Sequence, residues 1–282
     1  MVTKQNAFLT VENIDIYYEL IVNKQAQNSS FTIVLLHGSL SSTFCYRKLI
    51  PYFEKDYNIV NIDLPPFGKS EKSRTFKYTY KNLAMLVIES VKKLGFTSCI
   101  VVGHSMGGQI ALMAGQKEQQ LVKGIVLLSS SGYMPRFKKS FILATYIPFF
   151  SFAIKRYLER QGVASNLLKV VHDQKMIDDE MIKGYEEPFH DRKIFFPLLR
   201  LIRYREGDLT PEELKQIHTP TLLIWGKHDR IVPVRIGKQL HEDLPNSKFI
   251  VYEKTGHLVP EERPDLVYRD IQVFLESLPA LI

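Results

Sequence analysis

The sequence predicts an α/β fold, a mostly parallel sheet with helices on both faces. Three observations predict it. Short β-branched and leucine-rich runs alternate with segments whose apolar residues recur at helical spacing, the pattern of strand–helix–strand units. Several of those runs are apolar at consecutive positions, as in strands buried on both faces. The alternation breaks once, after Ser131, and resumes near residue 209, as it would around an inserted segment.

The elements follow in order. Residues 14–22 read as an early strand. Thr32–Leu36 is a compact strand run ending at His37-Gly38, and a helical stretch follows at 46–53. Residues 57–62 form another strand, ending at Asp63-Leu64-Pro65-Pro66. Leu83, Leu86, Val87, Val91 and Leu94 lie on one helical stripe within 80–94. Residues 98–102 (Ser-Cys-Ile-Val-Val) suit a central strand, 106–116 a helix, and 124–128 the next strand.

From 131 to 208 helical segments dominate and aromatics are dense. One group is Tyr133, Phe137, Phe141, Tyr146, Phe149, Phe150, Phe152 and Tyr157, and a second is Tyr185, Phe189, Phe195 and Phe196. Thr210-Pro211-Glu212-Glu213 then marks a helix start, with Thr210 as N-cap and Glu213 closing a capping box. Residues 221–225 and 247–252 are strands, and 264–275 is a terminal helix. This divides the chain into core residues 1–130, a helical cap or lid at 131–208, and core residues 209–282.

The bulk properties exclude several function classes. The 282 residues are 45% hydrophobic and 24% charged, ordinary for a soluble globular protein. Cys45 and Cys99 are the only cysteines, expected as reduced buried thiols. No CxxC or spaced Cys/His cluster points to a metal. The first residues show no basic and apolar signal pattern, so a cytoplasmic location is expected, and the sequon Asn28-Ser29-Ser30 reads as a chance match.

The net charge of +7 would suit anionic partners. However, the basic residues are scattered, apart from Arg136, Lys138, Lys139, Lys155, Arg156 and Arg160. No nucleic-acid-binding motif is present. A solvated basic surface is favoured over contact with a lipid surface, and no oligomeric state is legible. The most apolar stretch, 141–154, is too short to span a bilayer and is interrupted by Pro148. It reads as a buried or interfacial element.

Gly103-His104-Ser105-Met106-Gly107 matches G-x-S-x-G. The bare pattern is weak, but its context is specific, because it joins a buried strand to a helix. A serine at such a turn has strained backbone angles, and its neighbours two positions away must be small. The helix N-terminus then offers N–H groups to a developing oxyanion. A serine hydroxyl needs a histidine to take its proton and a carboxylate to orient that histidine. Asp229 follows the 221–225 strand through Gly226-Lys227-His228, and His257 follows the 247–252 strand. Both fall at C-terminal strand ends, the edge that carries Ser105. Met106 should supply one oxyanion N–H. The other should come from the loop after Thr32–Leu36, at Ser39 or, alternatively, Leu40.

His37-Gly38-Ser39, Asp63-Leu64-Pro65-Pro66-Phe67-Gly68-Lys69-Ser70, Gly103-His104-Ser105-Met106-Gly107-Gly108, Trp225-Gly226-Lys227-His228-Asp229-Arg230-Ile231-Val232-Pro233 and Gly256-His257 together resemble the α/β-hydrolase superfamily. The resemblance spans nearly the whole chain and is nearest to small esterase-like members with a helical cap. It implies an eight-stranded sheet, the Ser105–Asp229–His257 triad and no cofactor. Pro66 departs from the family pattern, where many members have glycine, and this bears on the local turn. A serine at the nucleophile position argues against the haloalkane dehalogenase branch, which has aspartate there.

The expected chemistry is hydrolysis of a small or medium apolar carboxylic ester through an acyl-enzyme. Leu40, Tyr133, Phe149 and Leu258 are the residues expected to touch the substrate. His104 and Asp63 read as structural, His228 as loop packing, and His241 as an exposed helix residue, while His172, His190 and His218 carry no motif. Two alternatives stay open. One is C–C bond, lactone or amide hydrolysis, or perhydrolysis, by the same triad. The other is a non-catalytic ligand-binding protein on a hydrolase scaffold.

Overall fold

The computed structural model describes residues 2–23 and 31–278, so the sequon at Asn28 lies outside the described residues. Eight strands form one sheet: β1 (Val2–Val11), β2 (Ile14–Asn23), β3 (Thr32–Leu36), β4 (Asn58–Ile62), β5 (Cys99–His104), β6 (Val122–Leu128), β7 (Thr221–Gly226) and β8 (Ser247–Tyr252). Their order is β1-β2-β4-β3-β5-β6-β7-β8. The β1–β2 and β2–β4 pairs are antiparallel, and every later pair is parallel.

Successive side chains of a strand point to opposite faces, and here both faces are covered. Val34, Leu36, Val101, Ile125, Leu127 and Trp225 belong to one core. Ile33, Leu35, Ile100, Val102, Val126 and Ile224 belong to the other. Helices α2 (Tyr80–Lys93), α3 (Met106–Lys117) and α10 (Val234–Asp243) contribute to the first core. The short α1 (Ile50–Phe53) and α12 (Pro264–Glu276) contribute to the second. Consecutive apolar residues along the central strands are the sequence signature of this two-sided burial. Both cysteines are free and buried. Burial pushes the Cys99 thiol up to about 12, so it stays protonated.

Between β6 and β7 the chain leaves the sheet. It forms α4 (Lys139–Ala144), α5 (Phe150–Gln161), α6 (Val163–Val170), α7 (Asp179–His190) and α8 (Phe195–Tyr204), then returns through α9 (Pro211–Leu214). Helix α9 opens with the Thr210–Glu213 capping box that its sequence signals. The short α11 (Val259–Glu262) follows His257 directly. Among the described residues, no helix is long and apolar enough to cross a membrane. The 141–154 stretch is not a buried element. None of the side chains of α4 is buried, and Tyr146, Ile147, Phe149 and Phe152 are exposed.

The turn after β4 carries the Pro66 departure, and the Pro65–Pro66 bond is cis. Asp63 organises this turn. Its carboxylate accepts the N–H groups of Thr43 at 2.6 Å and Lys69 at 2.7 Å. Burial nevertheless raises its pKa to about 6. Gly68 sits at φ 55°, and a Cβ there would overlap the Asp63 carboxyl group, so glycine is required.

Candidate active site

Helix α3 starts immediately after β5, which leaves Ser105 alone in the turn at φ 52° and ψ −119°. Such backbone strain costs on the order of 1–3 kcal/mol and persists only where neighbours enforce it. Here they do. The Ser105 N–H donates to the Leu128 carbonyl at 3.1 Å, and its own carbonyl accepts from Gly108 and Ser131, both at 3.0 Å. The flanking glycines permit the close approach. A Cβ on Gly103 would overlap the Gly107 carbonyl oxygen, and a Cβ on Gly107 would overlap that of Leu36.

Asp229 and His257 leave β7 and β8 on neighbouring loops. The loops cross tightly, because a Cβ on Gly226 would overlap the Gly256 carbonyl oxygen. His228 N–H also donates to the Thr255 carbonyl at 2.9 Å. The crossing brings His257 Nδ1 to 2.8 Å from Asp229 Oδ2. Asp229 Oδ1 accepts the backbone N–H groups of Ile231 and Val232, both at 2.8 Å. Burial alone would raise the pKa of Asp229. The hydrogen bond and charge of His257, with the two backbone donors, outweigh burial and hold it below the usual carboxylate range. An ionised Asp229 fixes the proton on His257 Nδ1, which leaves Nε2 with a lone pair.

His257 is held through its backbone as well. Its N–H donates to the Val170 carbonyl at the end of α6, at 2.7 Å. Its carbonyl accepts from His104 Nε2 at 2.9 Å. Burial holds the His104 imidazole down at about 3, with the nearby His257 adding to the effect, so His104 is a neutral hydrogen-bond donor. Glu262 ties the same loop to the helical segment. Its carboxylate accepts the N–H of Gly256 and that of His172, each at 2.8 Å.

The loop after β3 passes directly beside Ser105. A Cβ on Gly38 would come within 3.0 Å of the Ser105 Cβ. The Ser39 hydroxyl donates to Met106 Sδ at 3.2 Å, so the two candidate oxyanion donors adjoin. Met106 is the first residue of α3, where a helix has no internal acceptor for the N–H. Leu40, the alternative donor, takes φ 58°. His37 fixes this loop. Leu64 N–H donates to its Nε2 at 2.9 Å, so its Nδ1–H donates to the Gly38 carbonyl at 2.7 Å. Burial keeps the ring neutral, with its pKa lowered to about 4.

A cavity of about 800 Å³ opens over this edge. Gly38, Ser39, Leu40, His104, Ser105, His257 and Leu258 form its floor, and Tyr157, Val163, Leu167, Val170, Tyr185, Phe189 and Phe195 contribute from the helical segment. Asn166, Lys169, Glu186 and His190 add polar groups. Among the described residues no cluster of His, Cys, Asp and Glu is disposed to hold a metal ion.

Two of the four expected substrate contacts need correction. Leu40 and Leu258 line the cavity, but Tyr133 and Phe149 do not. The Tyr133 hydroxyl turns to α10 and bonds Asp243 at 2.6 Å. Phe149 stands 85% exposed in a left-handed conformation at φ 64°. Aromatic density marked the segment but not which face of it turns inward. Sequence reasoning also missed the Glu262 bridge. A glutamate five residues after His257 carries no local signal, because it bridges the backbone N–H of Gly256 to that of His172 in a distant segment.

Comparisons with known proteins agree with this architecture. Residues 32–264 match the family described as alpha/beta hydrolase fold. The chain is 52% identical over 267 residues to "Uncharacterized hydrolase YugF" of Bacillus subtilis, covering 95% of this chain and 96% of that protein. It is 25% identical to 2-hydroxy-6-oxo-6-(2'-aminophenyl)hexa-2,4-dienoic acid hydrolase of Metapseudomonas resinovorans, covering 83% and 80%. Among solved structures, a thermophilic esterase from Thermogutta terrifontis superposes with a TM-score of 0.78 at 20% identity, covering 97% of this chain and 99% of that one.

Proposed function

The chain belongs to the α/β-hydrolase fold family, and from that premise we propose that it is a serine hydrolase of apolar carboxylic esters. The observation that carries the reading is the union of three features in one cavity. These are a serine strained to φ 52° at a strand–helix turn, a histidine oriented by a buried ionised aspartate, and apolar walls.

His257 Nε2 takes the proton of Ser105 as Oγ attacks the ester carbonyl. The oxyanion accepts hydrogen bonds from the N–H groups of Met106 and Ser39. The imidazolium passes its proton to the departing alcohol, which leaves an acyl-serine. A water molecule, deprotonated by His257, attacks the acyl carbon, and the proton returns to Ser105 as the acid departs. The helices over the cavity act as a cap that admits an apolar acyl group, and about 800 Å³ is within the range of small-molecule sites.

A C–C hydrolase is the second reading, favoured by the 25% identity to the dienoic acid hydrolase. Turnover of p-nitrophenyl esters of rising chain length, set beside that dienoic acid, separates the two. The ester reading expects turnover that peaks at a medium chain and is lost in Ser105→Ala. Faster turnover of the dienoic acid than of any ester would replace the ester reading. No turnover of either by well-folded protein would point to a binding protein.

A further inference from the structure

The helical segment exposes an apolar surface, of which the Tyr146 ring carries the Arg203 guanidinium on one face, 3.9 Å from its centroid. Leu143, Tyr146, Ile147, Phe149 and Phe152 are each at least 59% exposed, and they fall within ten residues of the chain that run from α4 into α5. Scattered exposed hydrophobic residues are ordinary, but a contiguous cluster of large ones marks an interaction site. Phe149 is the extreme case. A bulky residue seldom adopts positive φ, yet this backbone turns left-handed at φ 64° with the ring projecting outward.

Charge accompanies the apolar residues. Lys138 and Lys139 stand exposed before the cluster, and Arg156 and Arg160 stand exposed after it. This is the composition of an interfacial element, with aromatics to enter the headgroup region and cations to meet anionic headgroups. The surface also continues into the cavity, because Tyr157 of α5 is both 61% exposed and part of the cavity wall.

We propose that α4 and the start of α5 form a docking surface for anionic phospholipid bilayers, which sets the cavity mouth against the membrane. Docking is peripheral, since none of these helices is long enough to span. The surface is independent of the chemistry at Ser105, so binding should persist in Ser105→Ala.

The test is co-sedimentation of the full chain with large unilamellar vesicles, with size-exclusion chromatography alongside. Vesicles of equimolar phosphatidylglycerol and phosphatidylcholine are compared with pure phosphatidylcholine. Wild type and Ser105→Ala should both sediment with the anionic vesicles, and binding should weaken with salt. Ile147→Ser with Phe149→Ser should lower the partition coefficient at least about tenfold. Lys139→Gln with Arg156→Gln should lower it about thirty-fold. Neither pair lines the cavity, so hydrolysis of a soluble ester should be unchanged in both. A monomeric wild type that stays in the supernatant with anionic vesicles would overturn the proposal. So would a wild-type dimer that ignores vesicles and dissociates in Ile147→Ser with Phe149→Ser, because a second copy would then be what covers the patch. Binding that ignores these substitutions would overturn it as well.

Discussion

Replacing Asp229 by asparagine isolates what the carboxylate does, because the structure dictates how the amide must sit. Oδ1 of Asp229 accepts two backbone N–H groups, from Ile231 and Val232 at 2.8 Å. An asparagine must keep its carbonyl oxygen there, since the flipped amide would set its NH2 against two donors. The NH2 group therefore faces His257 Nδ1, at the position where Oδ2 now accepts at 2.8 Å. A donor at that place demands a lone pair on Nδ1. The proton moves to Nε2, the atom that must take the proton of Ser105. The wrong tautomer in an otherwise intact triad lowers kcat about 10⁴-fold, a barrier increase of roughly 5.5 kcal/mol. Steady-state hydrolysis of a p-nitrophenyl ester measures it, with circular dichroism to confirm folding. KM should change little, because the walls of the cavity are untouched. If Asp229→Asn kept kcat within tenfold of wild type, the orientation argument would be wrong.

Other outcomes follow from the same geometry. Gly107→Ala sets a Cβ against the carbonyl oxygens of Leu36 and His37, which are backbone and cannot swing away. It should cost about 3 kcal/mol or more in urea unfolding, if the variant folds at all. Glu262→Ala strips the acceptor from Gly256 and His172. With allowance for partial solvent screening, a loss of about 2 kcal/mol is expected, and kcat should fall about tenfold as the His257 loop loosens. Glu262→Gln keeps one acceptor oxygen and should recover part of both. The contribution of two buried histidines to stability should fall in mild acid. The unfolded chain protonates its imidazoles below 6.5, whereas burial keeps His37 neutral to about 4 and His104 to about 3. Within that window the unfolded state binds more protons at these two sites, so their contribution drops as pH drops, by up to about 2.7 kcal/mol per pH unit, while Asp63 and Glu261, whose carboxyls burial raises to about 6 and about 7, contribute in the opposite sense. Urea titrations at pH 7 and pH 5 on wild type and His37→Asn check it, since the variant should lose up to about 1.4 kcal/mol per pH unit less stability than wild type on acidification.

Much of the core was legible because local pattern and burial coincide there. Thr32–Leu36 is apolar at every position after Thr32, and the strand has those bounds because both of its faces are covered. Strand β1 was not legible. It lies at the sheet edge, its residues Val2 to Asn6 are exposed, and an exposed strand carries little hydrophobic alternation. Around Ser105 the two glycines and the flanking strand and helix were readable, since steric exclusion acts within five residues. The pairing of Asp229 with His257 was readable only through chain order and strand ends. The His104–His257–Val170 contacts and the Glu262 bridge were not, because they join backbone groups far apart in sequence. The helical segment was the least legible part. Its aromatics divide between the cavity, as Tyr185 and Phe195 do, and open solvent, as Phe149 and Phe152 do. Composition is the same on both sides of that division.

The central claim is that Ser105 is an activated nucleophile. A fluorophosphonate probe reacts with such a serine and adds a defined mass, which intact-protein and peptide mass spectrometry locate. The account expects one adduct per chain, on the peptide containing Ser105, absent from Ser105→Ala and strongly slowed in Asp229→Asn. An adduct that survives Ser105→Ala, or well-folded wild type that takes up no probe, would contradict it.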